Sequence, residues 1–166
     1  MTENPWYVWT ESDEFQQGDL IYTCAYEYVN ALGDVDRKEY DVVIVSQSCD
    51  LAQGKLKMVQ VCPFWELDVL AQKLDFFRNK RSREELRRGN LPGYHLLNRC
   101  PLLEPVTDFL VIDFRMQFAI AQEQLSAVAS KQKPRLRLFS PYREHLAQAL
   151  ARFYMRVGLP EDIPPF

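Results

Sequence analysis

Ser46-Gln47-Ser48-Cys49-Asp50 is the first stretch of the chain whose residue types could do chemistry. It follows the β-branched run 42–45 directly, and loops at strand ends commonly carry sites. Gln47 and Ser48 can hydrogen-bond bases or a peptide. Asp50 can act as a base or orient a cation. Cys49 can act as a nucleophile where a neighbour lowers its pKa. The plain alternative is a polar turn, with Cys49 packed inside and Asp50 capping a helical turn from Leu51. No local spacing places His95 beside Cys49 as its base.

A second group is cationic. Arg78, Lys80, Arg81, Arg83, Arg87, Arg88 and Arg99 fall within one short region, offset there by Glu84 and Glu85. Tyr94 and His95 follow, and aromatic groups among cations suit stacking on single-stranded nucleic acid. The alternative is a solvated helix face with i,i+4 pairing such as Glu84–Arg88. A third group, Asp113 and Arg115, brackets Phe114 in an extended segment. Both side chains then point to one side, as a structural ion pair or as the lining of a groove.

The four cysteines, Cys24, Cys49, Cys62 and Cys100, form no C-x-x-C pair. They read as small buried hydrophobes. A metal held by some of Cys49, Cys62, His95 and Cys100 is the alternative, since ligands can converge without a local motif. No phosphate-binding glycine loop, nucleophile elbow, dinucleotide fingerprint or calcium loop appears, so no cofactor is expected.

These groups sit on a chain of 166 residues with 47% hydrophobic and 13% aromatic residues. That composition supports a folded core rather than disorder. Lysine and arginine number 20 against 23 acidic residues, a net charge of −3, so any nucleic-acid surface must be a local patch. No apolar run reaches 18 residues and the start is acidic, so the cytoplasm is the expected compartment, with no membrane association.

The elements that would position these groups are legible in part. Residues 1–17 read as an acidic arm anchored by Trp6, Val8 and Phe15. Leu20 to Val29 is strand material, with Tyr22, Cys24, Tyr26 and Tyr28 expected on one face. A turn region over 31–39 leads to the buried strand 42–45. Gly54-Lys55 turns the chain, and Leu56 to Cys62 is a strand that stops at Pro63. Leu67, Leu70, Leu74 and Phe77 make a helical stripe. A second helix, Ser82 to Arg88, opens on a Ser82–Glu85 capping box and stops at Gly89. Strands at 109–114 and 116–121 flank a bend at Arg115. A short helix spans 122–129, and an extended arm carries Leu136 and Leu138. The last helix has Ser140 as N-cap, Pro141 at N1, Leu146, Leu150, Phe153, Tyr154 and Val157 on one face, and Gly158 and Pro160 at its end. Arg143, Arg152 and Arg156 decorate its surface. The expected organisation is one domain over 1–166. Residues 18–64 and 108–138 form its core, 65–107 a basic helical insertion, and 139–158 a C-terminal helix.

Gly18-Asp19-Leu20-Ile21, then Val42-Val43-Ile44-Val45-Ser46, the turn at Gly54, and Val59-Gln60-Val61-Cys62-Pro63 together resemble the MazF/PemK (CcdB-like) toxin family. Phe109 to Arg115, followed by Ala121 to Leu125, resembles that family's later strand and last helix. The resemblance covers 18–64 and 108–129. It implies a mainly β (α+β) fold: a small SH3-like barrel, often dimeric, with the helical insertion and the C-terminal helix added. It also implies metal-independent cleavage of single-stranded RNA through the substrate's 2′-hydroxyl, in a toxin–antitoxin or defence setting. The family's arginine before the VVVLS-type strand is replaced here by Tyr40-Asp41, and its later Ser/Thr by Pro63-Phe64.

The leading expectation is therefore a barrel that binds a partner, nucleic acid and foremost single-stranded RNA, through Arg78, Lys80, Arg81, Arg83, Arg87, Arg88, Tyr94 and His95. A second is an endoribonuclease with a relocated site, with Arg37 or Arg115 as the cation and Ser46, Ser48, Cys49 or Asp50 in catalysis. A third is a protein–protein adaptor that docks, or dimerises, through the C-terminal helix.

Overall fold

The structure is a computed structural model that describes residues 5–155. Its strands are β1 (Tyr7–Thr10), β2 (Leu20–Val29), β3 (Val35–Ile44), β4 (Met58–Glu66), β5 (Tyr94–Leu97), β6 (Leu110–Asp113), β7 (Phe118–Ala121) and β8 (Arg135–Leu138). Its helices are α1 (Ser48–Ala52), α2 (Leu67–Lys73), α3 (Lys80–Arg87), α4 (Gln122–Ala129) and α5 (Tyr142–Tyr154). The class is α+β, and every ladder is antiparallel. The main sheet runs β2-β3-β4-β6-β5, with β7 also on β4, while β1 and β8 form a separate ribbon. The sheet is open. β8 uses its ladder on β1 and meets the start of β2 only at an Asp19–Arg137 bridge and a bond from the Leu138 N–H to the Gly18 carbonyl at 2.9 Å. Among the described residues, no helix is long and apolar enough to cross a membrane.

Alternation along β3 and β4 builds two cores. Val43, Val45, Cys62 and Phe64 face one side, where Leu136, Leu138, Leu146 and Ala149 cover them. Val42, Ile44, Val59 and Val61 face the other, covered by Leu125, Ala129 and Leu51. A third cluster packs Leu67, Leu70, Phe77 and Leu86 of the insertion against Val111 of β6. The helical stripe read from the sequence is thus real, except that Leu74 is exposed.

Several local expectations are corrected. Tyr22 does not share a face with Cys24, Tyr26 and Tyr28, because a bulge intervenes between Ile21 and Cys24. Thr23 takes φ +54° there, and Tyr22 turns to the first core while Ile21 and Cys24 both enter the second. The Gln132 side-chain amide bonds both the N–H and the carbonyl of Tyr22, at 2.9 and 2.7 Å, in place of a strand partner. The turn is shorter than expected and β3 already begins at Val35. β4 does not stop at Pro63. One side of β4 pairs β7 up to Val61 and resumes with β6 at Phe64. Pro63, which has no N–H, falls at that interruption. The interruption matches the bend expected at Arg115, where 114–116 make a 3-10 turn.

The insertion is not purely helical, since β5 lies within it and pairs with β6. Asn79, not Ser82, caps α3, by accepting from the Arg81 N–H at 2.8 Å, while Ser82 is buried. Gly89, at φ +73°, ends α3 as expected. α5 has Pro141 rather than Ser140 at its N-cap position. Arg156, Val157, Gly158 and Pro160 lie outside the described residues. The N-terminal arm is a strand, with Tyr7 and Phe15 buried and Trp6 stacked on Tyr142 at 3.7 Å.

Candidate nucleic-acid interface

The basic residues of the insertion divide by what their guanidinium groups touch. Arg78 donates to the carbonyls of Ala71 and Gln72, at 2.9 and 3.1 Å, and so closes the last turn of α2. Arg83 donates to the Phe77 carbonyl at 2.7 Å and to Asp68 at 2.8 Å. Arg99 lies over the Phe109 ring and 3.6 Å from Asp108. These three hold the insertion together. Lys80 and Arg81 have no ion pair among the described residues. Arg87 and Arg88 share the carboxylate of Glu84, each at 2.7 Å, which holds that carboxyl down at about 2. The Glu84–Arg88 pair read from i,i+4 spacing is therefore present.

Tyr94 and His95 are side by side on β5 and face different surroundings. The Arg115 guanidinium sits over the Tyr94 ring at 4.4 Å and also donates to its hydroxyl. Phe77 meets the same ring edge-on at 5.0 Å. Stacking a base on Tyr94 would therefore displace Arg115. Arg115 is also bound by Asp113, at 2.9 and 2.7 Å, and Asp113 is buried while Arg115 is half exposed. The expected Asp113–Arg115 pair is thus present, made where the strand has given way to the 3-10 turn.

His95 lies almost parallel to Phe114 at 6.1 Å, and its Nε2 is buried with no hydrogen-bond partner among the described residues. Burial first, then the nearby His145 and Arg152, push its imidazole down to about 4, so it is neutral at neutral pH. It lines a cleft of about 190 Å3 between the end of α3, β5 and α5. Arg87, Arg88, Arg152 and His145 line the same cleft, and among the described residues no carboxylate does. Sequence reading placed Arg152 on the surface of the last helix and gave it no part in a site. Its approach to α3 is a tertiary fact with no local signal.

The loop after β3 is built differently. The Ser46 hydroxyl accepts from the Gln60 N–H at 2.8 Å, and the Ser48 hydroxyl from the Gln17 N–H at 3.0 Å. Both serines tie the loop to its neighbours. α1 begins at Ser48, so Asp50 lies inside that helix rather than capping it. Cys49 is exposed, not packed inside, while Cys24, Cys62 and Cys100 are buried as expected. Cys49 opens on a polar groove of about 510 Å3 with Gln17, Gln47, Arg143 and Glu144. Asp50 has no side-chain ion pair among the described residues.

Arg37 pairs with Glu39 in the exposed half of β3. It is seven residues from Ile44, or roughly 23 Å of strand, so it stands apart from the Ser46–Asp50 loop. Arg115 is likewise engaged elsewhere, with Asp113 and Tyr94. Cys49 and His95 line separate grooves. Among the described residues, no three His, Cys, Asp or Glu side chains are grouped so as to hold a metal. The adaptor face of α5 is engaged too. Leu146, Ala149, Leu150 and Phe153 pack on the first core, which leaves Tyr154 and Met155 exposed.

A second charged centre went unread in the sequence. Asp19 is fully buried and accepts from Arg135 at 3.0 Å and from Arg137. Arg135 is itself 3% exposed and donates to the carbonyls of Ser12 and Glu14, at 2.5 and 2.7 Å. This triad fastens the β1–β8 ribbon and the 11–17 segment to the start of β2. Comparison with family models finds none that matches the chain, and comparison with curated proteins finds no match either.

Proposed function

We propose that the protein binds nucleic acid, single-stranded RNA foremost, through the end of its basic insertion and the facing side of α5. The observation that carries this reading is the cleft in which Arg87, Arg88 and Arg152 converge with no carboxylate of the described residues in the lining, in a chain of net charge −3. Guanidinium groups match phosphate geometry in two-point contacts. Arg78, Arg83 and Arg99 support the surface rather than form it, since Arg78 and Arg83 are tied to backbone carbonyls and Arg99 lies over Phe109 near Asp108, whereas Arg87 and Arg88 are held only by the exposed Glu84. The family resemblance favours RNA and a toxin–antitoxin or defence setting.

A gel-shift series tests this. End-labelled single-stranded RNA and matched DNA are titrated with protein in EDTA across salt concentrations. Binding should weaken with salt by about 0.7 in log–log slope for each phosphate neutralised. Replacing Arg87 and Arg88 by Ala should lower affinity and reduce the slope by about 1.4, two phosphates' worth. No shift, or an unchanged slope in that variant, overturns the reading. Cutting of RNA but not DNA in the same lanes would instead assign the ribonuclease activity that the resemblance implies. Asp50→Asn, which alters an unpaired carboxylate beside Cys49, would then test the loop as its source.

A further inference from the structure

An arginine-lined cleft attracts any anion, and a more specific ligand is indicated by what lies in it. His95 Nε2 is buried and has no hydrogen-bond partner among the described residues. Leaving such an atom unpaired is unfavourable, and a site that tolerates it is completed by a ligand group of matching polarity. Arg152, whose side chain has no ion pair among the described residues, reaches the same cleft from α5. Arg87 and Arg88 reach it from the end of α3, held by Glu84. The space, about 190 Å3, is smaller than the roughly 300–1,000 Å3 of common ligand pockets. It suits a phosphate with its sugar and is too small for a run of nucleotides.

We infer that this cleft seats the terminal phosphate of a bound strand, with Arg87, Arg88 and Arg152 around the phosphate oxygens and His95 Nε2 donating to one of them as the imidazole takes up a proton. The identity of the strand rests on the nucleic-acid reading above, whereas the phosphate seat itself does not. A terminal phosphate carries up to two negative charges near neutral pH, against one for an internal phosphodiester. That difference favours an end over the middle of a strand.

The proton uptake follows from the groups that face His95. From α5 these are His145 and Arg152, and from the end of α3 they are Arg87 and Arg88. Its register partner on β6 is the uncharged Ile112, while the neighbouring Tyr94 on β5 is paired with Asp113, which is engaged by Arg115. Without ligand, burial and the cations keep the imidazole neutral. A bound dianion offsets the cations and gives Nε2 an acceptor, so the protonated form becomes favourable. Affinity for the phosphate therefore rises as pH falls, by up to about tenfold per pH unit while one full proton is taken up, and levels off below the phosphate's second pKa of about 6, where binding the dianion releases a proton in turn.

Titration calorimetry on the full chain tests this with four probes: one short single-stranded RNA with a 5′-phosphate, with a 3′-phosphate or with neither, and inorganic phosphate. Each is run at about pH 6 and about pH 8, on either side of the usual range of histidine, in two buffers of different ionisation heat. One phosphorylated RNA should bind at least about tenfold tighter at the lower pH than the unphosphorylated strand, with proton uptake. The preferred end identifies which terminus is seated. His95→Gln keeps a donor but cannot titrate, so it should abolish the proton uptake. Arg152→Ala, on the exposed side of α5, should reduce the phosphorylated RNA to the affinity of the unphosphorylated one. Equal, salt-sensitive binding of all three RNAs overturns the seat and leaves the nucleic-acid reading standing. Inorganic phosphate bound with His95-dependent proton uptake, while no RNA binds, supports the seat and overturns the nucleic-acid reading. Proton uptake that persists in His95→Gln overturns the role of His95.

Discussion

Asp19 shows where residue-level reading reaches its limit. Gly18-Asp19 is visible as the opening of a strand, and Arg135 and Arg137 as an alternating pair. Their union spans 116 residues and leaves no trace in local spacing. Its energetic weight comes from burial. With Asp19 inaccessible and Arg135 almost so, removing the carboxylate strands the Arg135 cation away from water. Asp19→Asn should lower the unfolding free energy by about 3–5 kcal/mol in urea titrations. Asp50→Asn, at an unpaired surface carboxylate, should change it by less than about 0.5 kcal/mol. A near-neutral Asp19→Asn would mean that the triad orients the ribbon without stabilising the fold. His95 sets a second residue-scale expectation. Its folded-state value of about 4 lies below the ordinary value of 6.5. In the window between those values the unfolded chain binds the proton and the folded chain does not. Stability present above pH 6.5 is therefore lost as pH falls toward 4, by about 3 kcal/mol in total. Comparing urea midpoints of the wild type and His95→Gln across that window isolates the contribution, because the carboxylates titrate alike in both. Parallel curves would show that the imidazole is not held neutral.

At the scale of elements, the sequence was most readable where one period dominates and one face is buried. The strands 20–29 and 42–45 and the helix stripes of α2 and α5 are of this kind. The errors fell where a tertiary partner reset a local rule. The bulge at Thr23 reversed the face of Tyr22 because Gln132, 110 residues away, satisfies its backbone. Asn79 displaced Ser82 as the cap of α3 because Ser82 turns inward. β5 went unread because 94–97 is a four-residue strand whose pattern only makes sense against β6. The same limit explains the site. α3 supplied a legible charge run, but which of its arginines are free is decided by Ala71, Phe77, Asp68 and Glu84. Glu84 is the control point, since it engages both arginines that line the cleft. Glu84→Gln removes that competition and leaves Asn79 to cap the helix. RNA affinity should then rise and the salt slope steepen by about 1 to 2 phosphate equivalents, because each cation set free neutralises one more phosphate. Unchanged affinity in the gel-shift series would show that Arg87 and Arg88 are already fully available, or that strands bind elsewhere.

For the whole molecule the question is whether its cores form one cooperative unit. The first and second clusters lie on opposite faces of the sheet, yet they share β3 and β4 residue by residue: Val42 and Ile44 on one side, Val43 and Val45 on the other. Neither face can lose its packing without leaving the other strand surface bare, which is the structural condition for two-state behaviour in a domain of this size. The cysteines report on this directly. Cys49 is exposed on α1, Cys24 belongs to the second cluster, and Cys62 to the first. Burial pushes the thiols of Cys24 and Cys62 up to about 12, which suppresses the reactive thiolate in the folded state. A thiol reagent should therefore modify Cys49 rapidly in native protein and leave Cys24 and Cys62 protected. With rising urea, Cys24 and Cys62 should become reactive over the same transition, as mass-resolved labelling would show, because Cys24 on β2 and Cys62 on β4 both pair with β3 and lie in the two cores that share it. If Cys24 labelled at a distinctly lower urea concentration, β2 would open from the sheet on its own. The two faces would then be separate folding units, joined by β3 and β4 but not coupled through them.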